Sequence, residues 1–413
     1  DGLSQHNLVR KEVSSLTTLE KHFLRKALKN MQADDSPDGY QAIASFHALP
    51  PLCPSPSAAH RHACCLHGMA TFPQWHRLYT VQFEDSLKRH GSIVGLPYWD
   101  WLKPQSALPD LVTQETYEHL FSHKTFPNPF LKANIEFEGE GVTTERDVDA
   151  EHLFAKGNLV YNNWFCNQAL YALEQENYCD FEIQFEILHN GIHSWVGGSK
   201  THSIGHLHYA SYDPLFYIHH SQTDRIWAIW QALQEHRGLS GKEAHCALEQ
   251  MKDPLKPFSF GSPYNLNKRT QEFSKPEDTF DYHRFGYEYD SLEFVGMSVS
   301  SLHNYIKQQQ EADRVFAGFL LKGFGQSASV SFDICRPDQS CQEAGYFSVL
   351  GGSSEMPWQF DRLYKYDITK TLKDMKLRYD DTFTIKVHIK DIAGAELDSD
   401  LIPTPSVLLE EGK

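Results

Sequence analysis

The chain has no apolar run approaching the roughly 18 residues of a membrane-spanning helix. It is also short of positive charge: Lys and Arg total 38 against 54 Asp and Glu, a formal net charge of -16. The first lack removes a transmembrane span. The second disfavours nucleic acid and anionic membrane surfaces, which both require a basic face. No Asn-x-Ser/Thr triplet occurs, so N-glycosylation is not expected. Heptads, long repeats and low-complexity runs are missing too. Asp1 is preceded by neither an initiator Met nor a signal peptide. The chain therefore reads as a processed or excised segment, a start that says nothing against secretion.

What is present describes a globular protein. A length of 413 residues exceeds one ordinary core, so two domains are expected. A hydrophobic content of 40% and an aromatic content of 13% supply a substantial interior. Eight cysteines suggest an oxidising compartment. Eight permit about 105 connectivities. Two close pairs, Cys53 with Cys64 and Cys335 with Cys341, are plausible local staples, whereas the neighbours Cys64 and Cys65 are not expected to bridge each other.

Periodicity divides the chain into a helical part and a strand-rich part. Helices are expected over 15–31, with Ser15, Thr18 and Glu20 supplying capping chemistry, and over 40–49, ended by Pro50 and Pro51. Thr71-Phe72-Pro73 opens another, with Pro73 near its first position. Residues 102–150 read as long surface loops. Further helices are expected over 158–173, 181–198 and 209–233. From about residue 313 the texture changes to short runs at 314–321, 328–334, 346–350, 363–368 and 382–392, the pattern of a β-sandwich or barrel. The Pro-bearing, acidic stretch 401–413 reads as a linker.

The helices carry histidines on their apolar sides. His189 and His193 stand four apart beside Phe181, Phe185, Leu188 and Ile192. A zinc protease would place a Glu between such histidines as general base, but here the second position is Asn190. His47 and His76 face the same way as apolar neighbours, and His67 lies in the cysteine-rich loop before His76. His219 and His220 each sit on an apolar stripe, and periodicity does not choose between them. Two groups result: His47, His67 and His76, then His189 and His193 with one of that pair. Neutral imidazoles without a carboxylate suit copper, zinc, iron or nickel. Three nitrogens per ion leave a coordination position open and stabilise copper(I). Two such centres facing each other can each give an electron to dioxygen, leaving a bound peroxide. Phe72, Trp75, Trp99, Trp195 and Trp227 are candidates for a water-excluding apolar wall. His60, His62, His202, His206 and His208 read as loop groups that could titrate near neutral pH.

At these residues a resemblance enters. His189-Asn190-x-x-His193-Ser194-Trp195 and Asp213-Pro214-Leu215-Phe216-Tyr217-Ile218-His219-His220, followed by Asp224-Arg225-Ile226-Trp227, resemble the copper-B signature of type-3 copper proteins. His67 and Phe72-Pro73-x-Trp75-His76-Arg77 resemble copper A. In that family the second of the paired histidines is the ligand, which selects His220. Cys65-Leu66-His67, together with Gly351-Gly352, Glu355-Met356-Pro357-Trp358 and Phe360-Asp361-Arg362-Leu363-Tyr364, resembles the molluscan haemocyanin branch, over nearly the whole chain.

The resemblance implies an α + β two-domain protein. A mainly α-helical domain (1–300) has a four-helix-bundle dicopper core, an antiparallel β-sandwich (301–400) covers it, and 401–413 links to a following unit. It implies His47, His67 and His76 on copper A, and His189, His193 and His220 on copper B. It also implies a thioether joining Cys65 to His67. With Cys65 so used, Cys179–Cys246 is the third disulfide and Cys166 stays as a buried thiol. The implied activity is reversible dioxygen binding and transport as peroxide between two copper ions. The implied setting is a large extracellular homo-oligomer of such units in haemolymph, with divalent cations as further partners. The same centre serves phenoloxidases that act on diphenols, so access decides. Leu350, before Gly351-Gly352, is the candidate plug over the site, and Asn190 is a candidate to orient His189 or a nearby water.

Overall fold

The computed structural model describes residues 8–54, 61–156, 164–240, 244–321, 326–351 and 362–413. His60 and the resemblance segment from Gly352 to Asp361 lie outside them. A helical part comes first and a β-sandwich follows.

Three long helices form the frame of the helical part: Phe72–Arg89, Tyr178–Gly197 and Leu215–His236. They are buried along most of their length, which is why apolar residues occur nearly all round them. Helix Tyr178–Gly197 starts three residues earlier than the apolar stripe suggested, because the Asn177 side chain accepts from the backbone N–H groups of Cys179 and Asp180. It ends at Gly198, whose φ of 54° only glycine adopts readily. Helix Thr18–Gln32 is capped by Thr17 and not by Ser15: Thr17 and Glu20 form a reciprocal capping box. Residues 40–49 are helical only over Tyr40–Ala44. The chain then leaves in turns that carry His47, and the His47 carbonyl accepts from the amides of Cys64 and Cys65.

The N-terminal arm is itself a strand. Leu8–Arg10 pairs in parallel with Tyr287–Tyr289. The sandwich has a three-stranded sheet in the order Arg362–Asp367, Arg314–Leu321, Ser406–Glu410. Its second sheet runs Glu396–Leu397, Thr384–Asp391, Ala328–Cys335, Cys341–Val349. All pairings within both sheets are antiparallel. Phe319 of the first sheet meets Phe332 and Phe347 of the second at ring separations of 4.8 and 5.1 Å, and this contact is the heart of the sandwich. The stretch 401–413 is thus no linker. Ser406–Glu410 pairs with Arg314–Gly318, because Val407, Leu408 and Leu409 suit a strand and Pro405 falls just before the first paired residue.

The sandwich packs on the helices that matter to the site. Arg314 bridges to Glu174 at 2.7 Å, Tyr364 donates to Gln168 at 3.0 Å, and Arg362 pairs with buried Glu182. Tyr346 stacks on Trp164 of helix Trp164–Glu174. Disulfides join Cys53 to Cys64, Cys179 to Cys246 and Cys335 to Cys341. Cys65 is buried, and the pKa of its thiol is pushed well up by that burial. Cys166, expected buried, is only half-buried, with its thiol donating to the Leu102 carbonyl at 3.0 Å. No helix among the described residues is long and apolar enough to cross a membrane.

Candidate metal centre

The histidines come together in two groups. His47, His67 and His76 form one, and His189, His193, His219 and His220 the other; within each group one ring nitrogen from every residue lies within 4.8 Å of the others, and all seven residues are buried. In the second group three Nε2 atoms converge: His193 to His189 at 2.9 Å, His193 to His220 at 3.2 Å and His189 to His220 at 3.3 Å. The groups face each other. The His76 and His220 rings stack with centroids 4.5 Å apart and planes within 10°, and His67 lies 6.2 Å from His189.

The backbone fixes which nitrogen points inward. Carbonyl oxygens only accept, so an Nδ1 facing one carries the proton and leaves the Nε2 lone pair free. His47 Nδ1 donates to the Leu207 carbonyl at 3.2 Å, His76 Nδ1 to Phe72 at 2.9 Å and His193 Nδ1 to Ile204 at 2.7 Å. The segment between the last two long helices therefore orients a ring of each group, through Ile204 for one and Leu207 for the other. His189 Nδ1 is 3.0 Å from Asn190 Oδ1, so the fully buried Asn190 holds that ring. The Nε2 atoms of His47 and His76 have no hydrogen-bond partner.

Burial and mutual repulsion keep these rings neutral. Burial first, then the nearby His193, pushes the His76 pKa down to about 3 despite the bond to Phe72. Burial pushes His193 down to about 4 against the bond to Ile204. His47, His67, His189, His219 and His220 lie well below their ordinary value, chiefly through burial and then neighbouring histidines.

The donor set fits metal. Three donors each about 2.0–2.1 Å from one ion stand roughly 3–3.5 Å apart, the spacing of the three converging Nε2 atoms. Buried nitrogens left without hydrogens or partners would otherwise be costly. His219 belongs to the second group but stacks flat on His189, with centroids 5.0 Å apart and planes within 12°, and both its nitrogens lack partners.

The apolar wall differs from the one expected. Phe72 touches His76 and His189, and Trp75 touches His47 and His76. Trp227 lines a small cavity of about 10 Å³ beside His76 and His220. Trp195 instead packs among Trp164, Phe165 and Tyr346, and Trp99 donates to Gln105. The ring that sequence reasoning missed is Phe216. It touches His47, His193 and His220 and so spans both groups. Its position one turn before His220 was the available signal. Of the outlying histidines, His206 does not titrate near neutrality: burial, with His208 and His202 nearby, pushes it down to about 4.

Behind the rings a buried ionic network ties two helices together. Asp224, one turn after His220, accepts from Arg77, next to His76, at 2.5 Å and from Arg10 at 3.3 Å. Tyr287 and Tyr289 also donate to Asp224, and Arg10 reaches Glu84 at 2.9 Å. Burial alone would raise the Asp224 carboxyl, but Arg77 and Arg10 bring it below its ordinary value.

Fold and site define a class of protein: a helical domain that presents two facing histidine clusters, continued by a β-sandwich. Known proteins of this kind match. The common central domain of tyrosinase matches residues 37–233, and the haemocyanin beta-sandwich matches 309–411. Hemocyanin 1 of Megathura crenulata is 62% identical over 410 residues, covering 99% of this chain but only 12% of that protein. Hemocyanin type 2 unit e of Rapana venosa is 57% identical and covers 98% of each chain. The structure of deoxygenated hemocyanin from Rapana thomasiana superposes with a TM-score of 0.94 at 56% identity, covering 98% of this chain and 99% of that one. The chain belongs to the haemocyanin family, as a functional unit of the molluscan type.

Proposed function

We propose that this unit binds dioxygen reversibly at two copper ions, one held by His47, His67 and His76 and the other by His189, His193 and His220. The observation that carries this reading is the pair of facing, buried, neutral imidazole groups, with no carboxylate among them in the described residues. Two copper ions held there would supply one electron each to dioxygen and take both back on its release. The chain's residues do the rest. The carbonyls of Phe72, Ile204 and Leu207 hold imidazole Nδ1 protons, so each lone pair stays aimed inward. Asn190 does the same for His189. Phe72, Trp75 and Phe216 exclude water, which limits proton delivery to the site. We further assign a thioether between buried Cys65 and His67; intact mass should then fall by two hydrogens beyond the three disulfides.

The spectrum tests the reading. Metal content should be two copper per chain, with an absorption band that appears under oxygen and vanishes under vacuum, and negligible catechol turnover. A colourless two-copper protein under oxygen would refute it. The match to the tyrosinase central domain favours a second reading, a phenoloxidase acting on diphenols. Leu350 bears on the choice. It is buried just after strand Cys341–Val349, and its role as a plug between phenols and the site rests on the resemblance. Leu350→Ala should raise diphenol oxidation, and an unchanged rate removes the plug. The setting we infer is extracellular, in a chain of several units that assembles with copies of itself, since Hemocyanin 1 is far longer than this unit.

A further inference from the structure

Thr18, Lys21, His22 and Arg25 share one face of helix Thr18–Gln32, at the spacing that stacks side chains along a helix. They form one wall of a cavity of about 200 Å³, and Gln114 and Tyr117 lie on its other side. Arg25 is only 8% exposed. Its Nη2 donates to the Gln114 side-chain oxygen at 2.8 Å and its guanidinium lies 5.1 Å over the Tyr117 ring, but both partners are neutral. Its Nε–H has no acceptor, and among the described residues it makes no ion pair. A guanidinium cannot shed its charge at ordinary pH, so this is a buried cation without a counter-ion.

The neighbours add to the imbalance. Lys21 is half-buried and also makes no ion pair among the described residues. His22 is buried and accepts the Leu120 amide on Nδ1, so its remaining N–H is at Nε2. Burial, then His119, Lys26 and Arg25, press its pKa below the ordinary value. The two carboxylates lining the cavity, Asp110 and Glu118, are exposed, and Glu118 is paired with His123. Lys21 and Arg25 thus share the cavity with Asp110 and Glu118, but Glu118 is drawn to His123 and the buried guanidinium has no carboxylate of its own among the described residues. Its size is below that of pockets for drug-sized ligands.

We propose that this cavity binds a small oxyanion, a carboxylate or a phosphate, held by Arg25 and Lys21. Arg25 supplies a planar guanidinium whose Nη2 already holds Gln114 but whose Nε–H is unclaimed, and Lys21 supplies a second charge on the same wall. The proposal is independent of the metal centre.

Calorimetric titration of the intact unit at low ionic strength tests it, with acetate in one arm, inorganic phosphate in another and choline chloride as the salt control. The expected result is saturable binding of acetate or phosphate with a dissociation constant of about millimolar, and none of chloride at matched ionic strength. Binding by acetate assigns a carboxylate pocket, and binding by phosphate assigns a phosphate pocket. Arg25→Gln should weaken it by about tenfold or more and Lys21→Met by about threefold. No saturable heat in either arm overturns the proposal. So does unchanged affinity in Lys21→Met, whatever the fate of Arg25→Gln.

Discussion

Acidifying the metal-free chain should unfold it before most carboxylates begin to titrate. His47, His67, His76, His189, His193, His219 and His220 are all buried with depressed pKa values, His76 down to about 3 and His193 down to about 4. In the unfolded chain each takes a proton near pH 6.5. Over the interval between the two values the unfolded state binds the proton and the folded state does not. The stability is therefore complete above about pH 6.5 and is lost as pH falls below it. Each histidine contributes a slope of about 1.4 kcal/mol per pH unit, and seven together approach roughly 10 kcal/mol per pH unit. A total stability of about 5–15 kcal/mol would be consumed within one to two units. Glu186 has the opposite sign. Burial, then the neighbouring Glu182, raises its folded pKa well above the ordinary value, and burial also raises Glu182, Glu174 and Asp100, so these contributions grow as pH falls, but among the described residues they are four carboxyls against seven histidines. Urea denaturation of chelator-stripped protein, followed by tryptophan fluorescence, measures this directly. The midpoint should fall steeply from about pH 6.5 toward about pH 5. Copper loading should move the fall to lower pH, because a ligated ring must lose metal before it gains a proton. A midpoint that stays level down to about pH 5 would refute the reasoning.

Other perturbations probe the supports of the site. Asp224→Asn leaves Arg10 and Arg77 buried beside a neutral amide and should cost about 3–5 kcal/mol in urea unfolding; a loss below about 1 kcal/mol would mean that the network is relaxed by water. At Gly197 a Cβ would lie 2.2 Å from the Gly205 backbone nitrogen. Gly197→Ala must therefore push aside the segment whose Ile204 carbonyl orients His193, weakening copper retention by about tenfold or more, as dialysis against a chelator would measure. His220→Gln should halve bound copper whereas His219→Gln should retain both ions; equal losses by elemental analysis would move the ligand assignment.

Much of the frame was legible because helical periodicity is local. The long helices, with His76, His189 and His193 on their inward sides, follow from spacing alone, and the strand run Arg314–Leu321 has the bounds its pattern predicts. Contacts that depend on distant pairing were not legible. Arg10 meets Glu84 and Asp224, 74 and 214 positions away, and nothing local marks it as buried. The carbonyls of Ile204 and Leu207 orient two rings, yet a backbone oxygen is the same in every residue type, so no letter announces the role. His47 was placed on a helix that in fact ends at Ala44, because the residues after it continue the apolar pattern while the chain turns. Phe216 looked like one more core aromatic; only the meeting of three elements gives it contact with both histidine groups.

The Ser406–Glu410 strand has a bearing on how this protein can be shortened. It occupies one flank of Arg314–Leu321, hydrogen-bonding the stretch from Arg314 to Gly318. A version cut ahead of Ser406 would bare that row of amides and carbonyls, an open template on which a second chain can add itself. Trimmed forms should therefore stick to one another even if every histidine stays where it belongs.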